Sequence, residues 1–256
     1  MNIGVQTFTV RKAQKRGIRE AYLPLLDMGI RNFEIARMEF NEKNALAVKA
    51  LADECGIEVS AIQVKPKYIF GDVGGVSEFC RITGCHRAVI SMLPFGCILG
   101  GEDRFYKFVD SLDRQAEIYA EHGITLGYHH HNWEYVKCAS GRTRMDELID
   151  RTSRIRFVHD TYWTARSGID PAVQIERFGE RLLGIHLRDL THKKHLLDVR
   201  AQDAAIGDGV IDFGRVFDVA ERVGCEYYVI EQKTDDPYGE IGKSFKKCKE
   251  ITSGKE

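Results

Sequence analysis

The run Tyr128-His129-His130-His131-Asn132-Trp133-Glu134 places three imidazoles and a carboxylate side by side. Further along, His159-Asp160, His186-Leu187-Arg188-Asp189 and Glu231-Gln232 each close a short apolar stretch. Nearer the amino terminus, Gln6, Glu34, and Gln63 with Lys65 do the same. Imidazole nitrogens mixed with carboxylate oxygens suit Mn, Co, Fe, Ni or Zn, and the oxygen share leans toward Mn or Mg. Each residue also has a plain structural reading. Asp160 alone reads first as a cap for the helix that follows. His186 interrupts Leu183-Gly184-Ile185 and reads equally as a hydrogen-bonded core histidine. Glu231 ends the apolar run Tyr228-Val229-Ile230, where a charge is costly to bury unless paired or ligated, so function is favoured there. Side chains alternate along a strand, so at most His129 and His131 share a face, and His130 is structural. His192 and His195, in a lysine-rich segment, read as solvated surface.

These residues do chemistry only if separate segments bring them to one place. Eight β-rich segments recur: Ile3–Phe8, Asn32–Ile35, Glu58–Val64, Ala88–Ser91, Thr125–His129, Arg156–Asp160, Leu183–Leu187 and Tyr227–Glu231. Helical patterns lie between them, among them Arg19–Met28, Lys43–Glu54, Arg104–His122 and Phe213–Val223, and Ile241–Ile251 closes the chain. Gly29, Gly56, Gly123 and Gly224 each stand between a helix and a strand, where a left-handed residue ends the helix. Strand, helix and glycine in repeated order predict a parallel α/β protein. Eight units in 256 residues predict a closed (β/α)8 TIM barrel forming one domain over 1–256. No G-x-G-x-x-G follows the first strand, which counts against a dinucleotide fold. In a barrel the catalytic groups come from the carboxyl ends of the strands, and the residues named above all lie at such ends. Pro66–Gly75 and Pro94–Gly101 read as loops at that same rim.

Composition narrows the functions. Lys and Arg number 37 against 38 Asp and Glu, for a net charge of -1, so nothing favours nucleic acid or an anionic membrane. No apolar run approaches a membrane span, and the start of the chain lacks the basic-then-apolar pattern of a signal peptide. Seven scattered cysteines without a C-x-x-C read as reduced thiols, and cytoplasm is the expected compartment.

Taken in order, the motifs resemble those of the sugar phosphate isomerase/epimerase family, the xylose isomerase-like barrels. Inosose dehydratases and ketose 3-epimerases belong to it, and endonuclease IV is a distant relative. The resemblance rests on Val5-Gln6-Thr7-Phe8-Thr9-Val10-Arg11, Phe33-Glu34-Ile35-Ala36 and Gly127-Tyr128-His129-His130-His131-Asn132-Trp133-Glu134-Tyr135. It continues through Asp160-Thr161-Tyr162-Trp163, Gly168-Ile169-Asp170-Pro171, Ile185-His186-Leu187-Arg188-Asp189, Gly207-Asp208-Gly209-Val210-Ile211-Asp212-Phe213 and Val229-Ile230-Glu231-Gln232. It implies a divalent metal, Mn first with Mg, Co or Zn as alternatives, on Asp160, His186 and Glu231. The family's fifth-strand glutamate falls on His129 here, so the fourth ligand is His129 or a folded-back Glu134. The implied reaction takes a proton from a carbon next to a carbonyl of a small sugar or cyclitol and passes through an enediolate. Glu231 is the implied base, and His131, Glu134 or Lys65 a second acid or base. Gln6, Phe8, Glu34, Lys65, Trp163 and Arg188 form the substrate-facing set, Arg188 as an anchor for hydroxyl, carboxylate or phosphate. A metal-dependent isomerase or epimerase comes first, and an inosose dehydratase-like or keto-glycoside lyase second. A DNA-repair endonuclease is disfavoured, because Gln63 and Trp163 stand where its further histidines belong. A homo-oligomer is compatible with the resemblance.

Overall fold

The computed structural model describes residues 1–191 and 203–254. His192 and His195 lie outside the described residues. Eight parallel strands close on themselves: Ile3–Gln6, Asn32–Ala36, Glu58–Val64, Arg87–Ile90, Thr125–His129, Arg156–Asp160, Leu182–Leu187 and Tyr227–Ile230. The last pairs with the first through Val5 opposite Ile230, and the first pairs with the second through Gln6 opposite Glu34. This is the expected closed (β/α)8 barrel. A short antiparallel pair, Asp189–Leu190 with Asp203–Ala204, stands on the seventh strand.

The helices between strands follow the apolar periodicity, including Ile18–Asp27, Glu42–Cys55, Glu102–Glu121, Phe213–Arg222 and Pro237–Ser253. The punctuating glycines behave as expected. Gly56 takes φ 66° and its N–H returns to Ala52, which stops one helix and releases the chain into the third strand. Two expectations fail. The first strand stops at Gln6 rather than Phe8, because the Phe8 N–H turns back onto the Gln6 side chain and the Thr9 N–H onto the Gln6 carbonyl. The two rim segments read as loops contain the short helices Pro66–Gly71 and Phe95–Leu99. Proline at the first helical position starts Pro66–Gly71, since its missing N–H costs nothing there.

Two apolar layers hold the barrel. The larger lies between strands and helices and includes Tyr22, Phe33, Phe79, Phe105 and Phe217. The smaller fills the barrel with Ala61, Val89, Val158, Leu183, Tyr227 and Val229. Tyr227 fits inside only because position 184 is glycine: a Cβ there would meet the Tyr227 ring at 2.3 Å. All seven cysteines are free thiols. Among the described residues, no helix is long and apolar enough to cross a membrane.

Candidate active site

The pleat decides which residues meet. Along the eighth strand Tyr227 and Val229 point inward, so Glu231, two residues on, also faces the barrel axis. Alternation likewise brings in His129 from the fifth strand and Asp160 from the sixth. On the seventh, a register shift against the sixth between Phe157 and Val158 breaks the alternation after Leu183, so that Gly184 and His186 face inward. Each of these four offers a ligand atom within 4.8 Å of the others. All four residues are buried; Asp160 and His186 are 0% exposed and Glu231 is 7%.

Each imidazole in the cluster is tied through one nitrogen and aims the other inward. His129 Nδ1 lies 3.2 Å from the Ser91 carbonyl, which leaves Nε2 facing Asp160 Oδ2 at 3.5 Å. His186 Nε2 lies 2.9 Å from Glu34 Oε1, and its Nδ1 is 2.8 Å from Glu231 Oε2. That last approach is off the line of a hydrogen bond, so His129 Nε2 and His186 Nδ1 are both buried without a hydrogen-bond partner. Buried polar atoms are rarely left so. Two such nitrogens converging beside two carboxylates fit a divalent cation, and tethering of the far nitrogen is how metal-binding histidines are held.

The electrostatics agree with this reading. Burial works to lower the His186 pKa, but the flanking Glu34 and Glu231 carboxylates outweigh it and raise it to about 10. A site that draws a proton so strongly favours positive charge. Burial alone would raise the carboxylate pKa values. Arg188 and the histidines reverse this, bringing Glu231 down to about 2 and holding Asp160 well below the usual carboxylate range.

The remaining expected residues divide. Trp163 and His131 reach the site as neighbours, with ring centroids 5.3 Å apart, and the His131 ring stands edge-on to His129 at 4.8 Å. Burial, then His129, lowers the His131 pKa to about 3, so it is neutral, and its Nδ1 has no partner. Arg188 points to the same side as His186. Its guanidinium, however, is engaged by protein carboxylates: Asp160 at 3.2 Å, Glu231 at 3.4 Å and Asp203 at 2.8 Å. The expected substrate anchor is thus a clamp on the carboxylates of the cluster.

Four residues are placed differently from expectation. Glu134 does not fold back into the cluster. It is fully buried, accepting from the Tyr128 hydroxyl and, at 2.8 Å, from the His131 N–H at the start of a short helix. Glu34 is engaged by the protein: its first oxygen lies against His186, and its second accepts from the Tyr227 hydroxyl at 2.8 Å. Gln6 is spent on Gln63 and the Phe8 backbone. Lys65 is exposed ahead of the helix Pro66–Gly71 and outside the cluster. Phe8 stays at the rim, half-buried, beneath two arginines.

Sequence reasoning missed Tyr227, Asp203 and the Ser91 carbonyl. Tyr227 had a signal, its even spacing from Glu231 on one strand. Asp203 had none, because it meets Arg188 from 15 positions further along the chain. His130, read as structural, accepts the Asp160 N–H at 3.1 Å and is held neutral by burial, with its pKa lowered to about 3.

Comparison with known proteins supports the same fold. Residues 24–251 match the xylose isomerase-like TIM barrel family. An inosose dehydratase of Geobacillus kaustophilus is 29% identical over 193 residues, which cover 63% of this chain and 60% of that protein. One from Clostridium beijerinckii is 24% identical over 232 residues, covering 82% of this chain and 72% of that protein. Among solved structures, a sugar phosphate isomerase/epimerase from Parabacteroides distasonis superposes with a TM-score of 0.74 at 19% identity, covering 94% and 91% of the two chains. The IolI protein with a bound zinc atom superposes with a TM-score of 0.71 at 14% identity, covering 99% and 97%. With a closed parallel barrel, a His-Asp-His-Glu cluster at its carboxyl rim and a family match over most of its length, the chain belongs to the xylose isomerase-like TIM barrels.

Proposed function

We propose that the chain is a metal-dependent sugar or cyclitol enzyme that removes a proton from a carbon next to a carbonyl. The observation that carries this reading is the convergence of His129, Asp160, His186 and Glu231 within 4.8 Å, both imidazoles fixed through their far nitrogens. The cation proposed for these four residues is manganese, on their oxygen share, with cobalt, zinc or magnesium as alternatives. When bound, it supplies Lewis-acid polarisation of the carbonyl and an adjacent hydroxyl.

Glu231 is the base. It is ionised at neutral pH, and of the two carboxylates in the cluster it alone keeps some exposure. Arg188 and His186 fix its two oxygens and so aim the carboxylate. His131, neutral and with a free ring nitrogen, is the second proton carrier. Trp163 walls the site beside it. Glu34, Gln6 and Glu134 are positioning residues, and the compartment is the cytoplasm.

Isomerisation or epimerisation is the first reading. Dehydration is the second, favoured by the inosose dehydratase relatives and by His129, which leaves a single exposed carboxylate in the cluster. Incubation of metal-loaded protein with keto-sugars and inososes in D2O tests both. One C–H is expected to exchange, and Glu231→Gln should cut exchange by roughly a hundredfold or more and lower metal content. Deuterium at the neighbouring carbon of an intact sugar marks an isomerase, inversion an epimerase, and a conjugated-enone absorbance a dehydratase. Full metal content and unchanged exchange in Glu231→Gln would place the chemistry elsewhere.

A further inference from the structure

Phe8, just past the first strand, carries two arginines. The guanidinium carbon of Arg11 is 4.0 Å from its ring centroid and that of Arg37 is 5.0 Å. Arg11 is half-buried and donates from Nη1 to the Phe8 carbonyl at 2.8 Å, which fixes its fork in place. Among the described residues neither arginine has an ion-pair partner, whereas Lys12 beside them reaches Asp235 at 3.8 Å. Arg37 follows the second strand and takes φ 59°, the only positive φ of a non-glycine among the described residues. That conformation is disfavoured for any residue with a Cβ, and glycine would hold the same turn without strain.

Both arginines stand at the carboxyl rim, the end that carries the cluster. Burial and then Arg37 lower the Arg11 pKa while Glu231 works against them, so Arg11 lies within electrostatic reach of Arg37 and Glu231. The molecule therefore keeps two unneutralised forks on one aromatic ring, one of them in a strained turn, beside a site built on carboxylates. Two planar guanidinium forks held together in this way are suited to a carboxylate or phosphate, which they bind through paired charge-assisted hydrogen bonds.

We propose that Arg11 and Arg37, seated on Phe8, form an oxyanion subsite, so that the substrate carries a carboxylate or phosphate in addition to its reacting carbonyl. This rests on the reading of Glu231 as the proton-abstracting base. The test titrates metal-loaded protein with a ketohexose, its phosphate monoester and the corresponding α-keto aldonic acid, by calorimetry, and follows C–H exchange in D2O. One anionic form should bind roughly tenfold or more tighter than the neutral sugar, the scale of one charged hydrogen bond. The form that gains identifies phosphate or carboxylate. Arg11→Gln and Arg37→Gln should each abolish the gain and leave the neutral sugar unchanged, and Lys12→Gln should leave the gain intact. Arg37→Gly relaxes the backbone and should abolish it equally, which separates loss of the subsite from misfolding. No arginine-dependent gain for either anion overturns the proposal, even if the neutral sugar exchanges. An arginine-dependent gain with no C–H exchange would sustain the subsite and sink the proton-abstraction reading instead.

Discussion

The two ends of the barrel are built on opposite principles. At the amino end, Glu226 bridges Arg87, at 2.8 Å, and Arg156, so one carboxylate ties the starts of the fourth, sixth and eighth strands. Further donors of those arginines go to the Ser60, Glu180 and Leu182 carbonyls. Each of these charges meets its opposite. At the carboxyl end Asp160 and Glu231 crowd one space, His129 Nε2, His131 Nδ1 and His186 Nδ1 lack hydrogen-bond partners, and two arginines share a ring. One end pairs its charges with one another, and the other gathers charged and ring groups that a ligand would satisfy. In barrels of this kind the first arrangement serves stability and the second chemistry.

The contrast can be broken most sharply at Glu34, which belongs to the functional end and is held between His186 and Tyr227. Glu34→Gln should weaken metal binding by roughly 10–100-fold, the usual cost of losing a carboxylate behind a metal-binding histidine. The melting temperature of the metal-free protein should barely fall. A large loss of stability with unchanged metal affinity would return Glu34 to the structural half of the molecule.

Gly184 joins the two halves. Its missing Cβ admits the Tyr227 ring, the Tyr227 hydroxyl holds Glu34, and Glu34 holds His186. Gly184→Ala should cost about 1–3 kcal/mol from overpacking, and should also weaken metal binding by displacing Tyr227. Thermal unfolding alongside metal titration checks both. Destabilisation without a change in metal affinity would break the link. Tyr227→Phe, which keeps the ring and removes the hydroxyl, should affect metal binding more than stability.

The smallest effect is expected at Glu226, half-exposed and therefore partly screened by solvent. Burial raises its pKa, but Arg87 and Arg156 outweigh this and hold it below the usual 4.5. A carboxylate whose pKa is lowered by folding adds stability fully above its unfolded value and loses it as pH falls through the folded one. Melting curves of the wild type and Glu226→Gln should therefore differ modestly near neutrality and converge in acid below 4.5. Metal content and exchange should stay unchanged, and a loss of either would show that the amino end reaches the site.

The sequence by itself determined the repeating units and the inward set. Helix periodicity, terminal glycines and β-branched runs are local features, so eight strands and most helices could be read from neighbouring residues. Position at the end of a strand is local too, and with the family resemblance it singled out Asp160, His186 and Glu231, with His129 or Glu134 as the fourth. The tertiary structure alone decided what each inward side chain touches. Glu34 and Arg188 read as substrate contacts because both end strands at the rim. Their real partners, His186 with Tyr227 for one and Asp160 with Asp203 for the other, come from distant positions. Glu134 looked free to ligate until its own short helix claimed it. The left-handed turn at Arg37 also leaves no trace in residue type, since arginine does not favour it. Periodicity follows from backbone geometry a few residues long, whereas partnership depends on where the closed barrel brings residues far apart in the chain.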